Sequence, residues 1–324
     1  MSDVRWGILG AAKFAREQMA PAIHAAKRSK LAMLATSDPA KAAPFQALDT
    51  GLQVVDSYDA VLADPDIDAV YIPLPNSLHV EWTRKALEAG KHVLTEKPIA
   101  MQADEINALI ALRDQTGLVA AEAYMIVHHP QWHQVRDWVQ AGAIGELRRI
   151  NATFTYDNSS DPGNIRNAVA TGGGSLPDIG VYTLGCARYV TGQEPIEVLF
   201  ADIRRENGVE VRAEAIVQFE GFTLTSLTSM RMLRYQSVTF QGTTGVIEVP
   251  VPFNPLGYGD AEVRLMRASG PVEVCRYPGV NQYVQQVEAF GAAVRGEAAY
   301  PCPLEFSQGT QSLIDMIWAA ERKV

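Results

Sequence analysis

The sequence predicts an α/β protein in two parts: a doubly wound parallel sheet over residues 1–122, and an α+β domain over residues 123–324 built on a large, mostly antiparallel open sheet. Three observations carry this prediction. Short apolar runs alternate with helical stretches up to about residue 122, strands then follow one another with only short turns, and a chain of 324 residues exceeds the size at which one core usually splits. The composition is 47% hydrophobic and 20% charged, which excludes a disordered or collagen-like chain.

In the first part Val4–Leu9, Leu31–Ala35, Ala69–Ile72, His92–Leu94 and Val119–Ala123 are short, apolar and bounded by turn or cap residues. Such runs suit strands buried on both faces of a parallel sheet. Helical stretches separate them at Phe14–Ala26, Ala40–Ala47, Tyr58–Ala63, Leu78–Ala89 and Ala103–Thr116, with Asn76-Ser77 before one helix and Gly90 after it. Right-handed βαβ crossovers follow. Past a helix at Trp132–Ala141, strands are expected at Leu147–Tyr156, Glu197–Ile203, Val209–Phe219, Thr223–Met230, Gln236–Gln241, Gly245–Val249, Glu262–Met266 and Val272–Tyr277. Glu220-Gly221 between two of them is a hairpin turn. Helices at Ser175–Tyr189, Tyr283–Val294 and Leu304–Glu321 are expected on one face of that sheet, the last returning to cover the core and to pack back on the first domain. The other face is left without helices, and an apolar sheet face seldom stays uncovered, so a homodimer, or a dimer of dimers, through this sheet is expected.

With 28 Lys+Arg against 37 Asp+Glu, the net charge is −9, and the longest basic clusters are Lys27-Arg28 and Arg148-Arg149. Nucleic acid is therefore not an expected partner, because phosphate binding needs clustered cations. No apolar run nears the ~18 residues of a membrane span. The first strand pattern starts with no leader-like region before it, and the three cysteines, Cys186, Cys275 and Cys302, are widely spaced. Both features predict the reducing cytoplasm and neither a disulfide framework nor a zinc site. His129 and His133 stand four apart but lack a third ligand, so no metal is expected.

After the first strand, Gly10, Ala12 and Ala15 fill the three small-residue positions of a dinucleotide-binding (Rossmann) turn, with Lys13 and Phe14 inside it. Small residues there let the backbone and the following helix N-terminus approach a pyrophosphate. Tight strand–helix packing would explain the same residues; their place at the first βα turn favours the nucleotide. The second strand ends Ala35-Thr36-Ser37-Asp38-Pro39-Ala40-Lys41. Hydroxyls of Thr36 and Ser37 with Lys41 suit a ribose 2′-phosphate, while Asp38 before Pro39 reads as a helix N-cap, so NADP is expected ahead of NAD.

The strand over His92–Leu94 continues Thr95-Glu96-Lys97-Pro98, which aims Lys97 beyond the carboxyl end of the sheet, where ligands of such sheets bind. Pro98 biases Lys97 toward an extended backbone. A lysine there can exchange a proton with a substrate hydroxyl as hydride moves. In Gly172-Gly173-Gly174-Ser175-Leu176-Pro177-Asp178-Ile179-Gly180-Val181-Tyr182, a helix opened near Pro177 puts Asp178 and Tyr182 on one face, a carboxylate beside a phenol.

Together with Tyr71-Ile72-Pro73-Leu74-Pro75-Asn76-Ser77-Leu78-His79 and Ala89–Pro98, these motifs resemble the glucose–fructose oxidoreductase / inositol dehydrogenase family over essentially the whole chain. The resemblance implies that Lys97 is catalytic and substrate-binding, that the Lys97–Pro98 bond is cis, and that Pro73, Asn76, His79 and Glu96 lie on the cofactor side. Tyr182 stands where many members carry histidine, similar to the branch of glucose–fructose oxidoreductase, dimeric dihydrodiol dehydrogenase and xylose dehydrogenases. That branch implies NADP, a polyhydroxylated or diol substrate, and a proton-transfer or hydrogen-bonding role for Tyr182 with Asp178 in support. Val127 departs from the arginine usual at its position, which removes a cation for an anionic substrate group. Tyr124, Tyr156, Asn158, Asn164, Arg166 and Tyr283 are candidate pocket-wall residues, each open to a purely structural role.

The expected activity is transfer of hydride between nicotinamide and the hydroxyl carbon of a sugar, polyol or diol. Two rivals share the fold. A non-catalytic nucleotide-sensing regulator has no use for a proton shuttle and would show no turnover. An enzyme that retains its dinucleotide for redox-assisted bond cleavage would keep cofactor through gel filtration without net NADPH formation.

Overall fold

Six short strands, β1 (Val4–Leu9), β2 (Ser29–Ala35), β3 (Gln53–Val55), β4 (Ala69–Ile72), β5 (His92–Thr95) and β6 (Ala120–Glu122), form a parallel sheet in the order β3-β2-β1-β4-β5-β6 in the computed structural model, which describes residues 3–321. Trp6, Ile8, Leu9, Val70, Tyr71, Ile72, Val93 and Leu94 are fully buried, as strands covered by helices on both faces must be. The covering helices include α1 (Ala20–Ala25), α2 (Pro39–Leu48), α3 (Tyr58–Ala63), α4 (His79–Glu88) and α5 (Ala103–Thr116). One apolar cluster gathers Trp6, Ile8, Met19, Ile23, Tyr71, Leu94 and Phe290; the other gathers Leu9, Val61, Val70, Ile72, Val93, Leu109 and Leu304. Strand order reverses between β1 and β4, and the crevice beyond the carboxyl ends of the strands at such a switch is where doubly wound sheets take ligands.

A second sheet of eight strands has the order β14-β13-β12-β11-β7-β10-β9-β8. Its members are β7 (Leu147–Asp157), β8 (Glu197–Glu206), β9 (Val209–Gln218), β10 (Thr223–Ser229), β11 (Arg231–Gly242), β12 (Gly245–Val249), β13 (Glu262–Arg267) and β14 (Glu273–Arg276). All neighbours are antiparallel except β7 and β10. Helices α6 (Pro130–Gln140) and α7 (Val181–Thr191) pack together, and α7 lies on β7 and β10. Inward residues such as Ile150, Ala152, Leu224, Ala213 and Ala215 are buried. On the opposite face Asn151 pairs with Thr225 and Thr239, and Thr153 with Ser237. That face carries hydroxyl and amide side chains together with the apolar Phe200, Ile216 and Leu227. Two more helices follow, α8 (Gln282–Val294) and α9 (Leu304–Ala319).

These elements fall into two units, one taking in the chain to His128 with Asn281–Gln308, the other His129–Val280 and the chain from Gly309. Several local elements differ from expectation. The edge strand β3 is only three residues long, too short to show a period. The helix expected over Phe14–Ala26 is a wide π turn, Ala15–Met19, followed by α1, whose Pro21 has no N–H to continue a regular ladder. Likewise the helix expected from Ser175 opens as a π turn at Leu176–Gly180, with Pro177 in it, before α7.

Candidate active site

In the first unit β1 ends at Gly10, whose φ of +109° favours glycine. A Cβ there would come 3.1 Å from Leu74 Cδ2 and 3.3 Å from the Tyr58 hydroxyl. Ala12 is half-buried, Ala15 is buried, and Lys13 and Phe14 are exposed, so the turn offers bare backbone framed by small residues. The Phe14 ring meets Tyr283 edge-on at 5.6 Å. At the tip of β2 the Thr36 hydroxyl accepts from the Asp38 N–H (3.2 Å), and Asp38 Oδ1 accepts from the Ala40 N–H (2.9 Å). Asp38 therefore serves as the N-cap of α2, while Ser37 and Lys41 stand exposed beside it. A cradle that a Cβ would narrow, two hydroxyls and a cation fit a dinucleotide carrying a 2′-phosphate.

The loop after β5 is held at several points. The Tyr71 hydroxyl donates to Glu96 Oε1 (2.6 Å), and the Lys97 N–H donates to Glu96 Oε2 (3.3 Å). The Lys97–Pro98 bond is cis, as the resemblance implied, and Lys97 itself is partly exposed. Just beyond it the Ile99 N–H donates to Glu122 Oε1 (2.9 Å), and the Ser307 hydroxyl to Glu122 Oε2 (3.0 Å). Burial pushes the Glu122 carboxyl above its ordinary range, against these two hydrogen bonds and the attraction of Lys97.

His79 supports the same loop. It is wholly buried, with its ring nitrogens 2.7 Å from the Pro98 carbonyl and 2.8 Å from that of Leu74. Burial pushes its pKa down, against the hydrogen bonds to the two carbonyls, and the ring braces the Pro98 end of the Lys97 loop. Asn76 is half-buried at the start of the turn Asn76–Leu78, and Pro73 is buried. Tyr124 is buried with its ring 5.7 Å from that of Phe306.

In the second unit the carboxylate of Asp178 takes two donors: the Tyr156 hydroxyl reaches Oδ2 (2.6 Å), and Arg166 Nε lies 2.8 Å from Oδ1. Burial, then the Asp178 charge, pushes the Tyr156 phenol up, so it stays protonated and donating. Asp178 in turn holds Arg166 firmly cationic. Tyr182, one turn on, is buried among rings, 5.6 Å from Phe253 and 5.9 Å from Phe154. Two further pocket-wall candidates meet loop partners. Asn158 Oδ1 accepts from Arg231 (2.6 Å); Asn164 accepts from the Arg166 N–H (3.1 Å) and donates to Asp161 (3.1 Å). His129 caps α6 through the Gln131 N–H, and burial lowers its pKa to about 4. Among the described residues no group of three or more His, Cys, Asp and Glu could hold a metal, and no helix is long and apolar enough to cross a membrane.

Residues 4–124 match the family described as "Oxidoreductase family, NAD-binding Rossmann fold", and residues 132–248 match the "GFO/IDH/MocA C-terminal domain". The chain belongs to this oxidoreductase family. It is 39% identical to an uncharacterized oxidoreductase of Rhizobium meliloti, covering 99% of this chain and 98% of the relative. It is 37% identical to the dTDP-3,4-didehydro-2,6-dideoxy-alpha-D-glucose 3-reductase of Saccharopolyspora spinosa, over 96% of this chain and 93% of that one. Among solved structures, the 3-ketoreductase KijD10 of Actinomadura kijaniata, in complex with NADP and TDP-benzene, aligns with a TM-score of 0.90 at 32% identity, over 100% of this chain and 99% of its own.

The supporting carboxylates Glu122 and Glu210 and the phenol of Tyr71 are absent from the sequence-level reading of the site. A readable signal existed for the first two: each is a lone carboxylate inside an apolar run, Ala120-Ala121-Glu122-Ala123 and Val209-Glu210-Val211. A charge at such a place costs several kcal/mol unless donors meet it.

Proposed function

We propose that this protein is an NADP-preferring oxidoreductase that passes hydride between the nicotinamide ring and a hydroxyl- or keto-bearing carbon of a sugar, with nucleotide-linked keto sugars the first class to test. The observation that carries this reading is the Lys97 loop: a lysine at the tip of β5, beside the topological switch of a nucleotide-binding sheet, on backbone tied down by Glu96, Glu122 and His79. The bound dinucleotide supplies the hydride donor or acceptor. Lys97 and Tyr182 handle the proton of the reacting hydroxyl, and Asp178, with Tyr156 and Arg166 as its donors, orients the second group. The first domain takes the cofactor and the second the substrate.

Preference for NADP rests on Thr36, Ser37 and Lys41, with the Asp38 carboxylate committed to α2. The solved relative with NADP bound supports the same choice. The thiols Cys186, Cys275 and Cys302 suit the cytoplasm. A homodimer through the open face of the second sheet would cover Phe200, Ile216 and Leu227.

The deciding experiment titrates NADPH and NADH separately. It then follows NADPH absorbance with dTDP-3,4-didehydro-2,6-dideoxy-α-D-glucose, and NADP reduction with D-xylose, D-glucose and vicinal diols. Turnover with tighter NADPH binding is expected; dinucleotide binding without turnover of any sugar or diol overturns the reading. Light scattering showing only a 35.3 kDa particle at micromolar concentration sinks the dimer.

A further inference from the structure

The helix that carries Asp178 and Tyr182 begins without a cap of its own, since the Ser175 side chain makes no capping hydrogen bond to it. Its first N–H groups need acceptors, as those of every helix do. Glu210, from β9, supplies them from outside. Glu210 Oε2 accepts from the Ser175 N–H (2.7 Å) and the Ser175 hydroxyl (2.8 Å), and Oε1 accepts from the Leu176 N–H (2.8 Å). The Ser175 hydroxyl also lies 2.9 Å from that of Thr228 on β10.

How Glu210 comes to be there follows from the sheet. The β8–β9 register shifts between Arg204 and Arg205, so Arg204 faces Arg212 while Arg205 faces Glu210. Val209, Glu210 and Val211 are consequently buried in succession, where a regular strand would alternate. The bulge turns an acidic side chain toward the glycine turn, and Glu210 is 3% exposed. The turn is shaped around the carboxylate. Gly174 has φ +139°, and a Cβ on it would sit 2.6 Å from Glu210 Oε1.

We infer that Glu210 is a positioning residue for the reaction: its carboxylate clamps the Gly174–Leu176 turn and so fixes the direction in which the next turns present Asp178 and Tyr182. This rests on the roles given above to those two residues.

The clamp is strongest when ionised, because each of the three donors then meets a charged acceptor, whereas a carboxylic acid accepts more weakly and brings a hydrogen of its own. Burial lifts the Glu210 carboxyl to about 7, against the hydrogen bonds from Leu176 and Ser175 and the attraction of Arg205. Arg205, its register partner on β8, is itself tied to Glu321 (2.7 Å); Thr228 on β10 and the glycine turn bring only uncharged groups. The clamp is therefore at full strength above about pH 7 and weakens below it.

The test compares wild type with Glu210→Gln and Glu210→Asp, using the sugar substrate and NADPH that the panel above identifies, together with amide hydrogen exchange on the protein alone. The wild type should show an acid limb in kcat near pH 7. Glu210→Gln should lower kcat at pH 8 by about ten- to a hundred-fold. It should also lose that limb, exchange faster over Gly174–Gly180, and leave NADPH affinity nearly unchanged. Glu210→Asp, which keeps the charge, should recover the limb and part of kcat. A folded Glu210→Gln protein with wild-type kcat, limb and exchange overturns the inference, as does one that loses thermal stability while kcat and its pH profile stay put. Full activity in both Asp178→Asn and Tyr182→Phe would instead sink the catalytic reading, and the exchange rates would still judge the clamp.

Discussion

Removing the Glu122 carboxylate measures what it costs to hold the Lys97 loop. The side chain is 4% exposed and takes the Ile99 N–H at 2.9 Å and the Ser307 hydroxyl at 3.0 Å. Glu122→Ala strands both donors, at about 1–3 kcal/mol for each buried unsatisfied group, partly offset by relief of the buried charge. The expected net loss is about 2–4 kcal/mol. Glu122→Gln keeps an oxygen for the Ile99 N–H, and its amide can donate to Ser307 Oγ once that hydroxyl turns round, so it should lie within about 1 kcal/mol of wild type in acid. The pH dependence reports on the buried charge itself. Burial raises the folded-state pKa of Glu122, so the folded protein binds that proton more tightly than the unfolded chain. The group's contribution is then full below its unfolded value, near 4.5, and declines as pH rises toward the raised folded value. Glu122→Gln escapes that decline and should gain on wild type from pH 4.5 upward. Urea unfolding of the three proteins across that range reads it directly. A wild-type-minus-Gln difference that stays flat with pH, or a Glu122→Ala protein within about 0.5 kcal/mol of wild type, would refute the argument.

Three other outcomes are expected. Lys97→Ala should lower kcat by about 10²–10⁴-fold with NADPH affinity within a few-fold of wild type, measured by steady-state kinetics and fluorescence titration; retained turnover removes the proposed proton carrier. Asp38→Ala should cost about 1 kcal/mol through its lost N-cap, whereas Asp38→Asn should be near neutral in thermal unfolding. Neither should abolish dinucleotide binding; a collapse of NADH affinity in Asp38→Asn alone would make Asp38 a ribose ligand instead. Asp178→Asn leaves Arg166 without its anion and the Tyr156 hydroxyl with a weaker acceptor, so kcat should fall by about ten-fold or more while cofactor affinity holds. Unchanged kcat in that variant would make the Asp178 cluster purely structural.

Much of the fold is legible along the chain because its cause is local. Apolar runs of four to six residues between capped helices are enough to announce the parallel sheet, and Asp38-Pro39 announces its own cap. The candidate residues Lys97, Asp178 and Tyr182 are likewise visible as motif residues. Their supports are not, because each depends on pairs far apart in the chain. Ser307 lies 185 residues from Glu122, and Arg231 lies 73 from Asn158. Nothing in the local pattern says that the side-chain oxygens of Asn158 and Asn164 will accept from Arg231 and from the Arg166 N–H, or that both nitrogens of His79 will face carbonyls.

Periodicity and short motifs alone thus determined the two architectures, the nucleotide turn and the lysine at a strand end, since each follows from side chains within a few positions of one another. Tertiary structure decided which buried charges have partners. A bulge in β9 turns Glu210 toward Ser175 and Leu176, and a helix some 180 residues downstream brings Ser307 to Glu122. A carboxylate's acceptors are met only where the folded backbone happens to deliver donors, and that delivery is a property of register and packing.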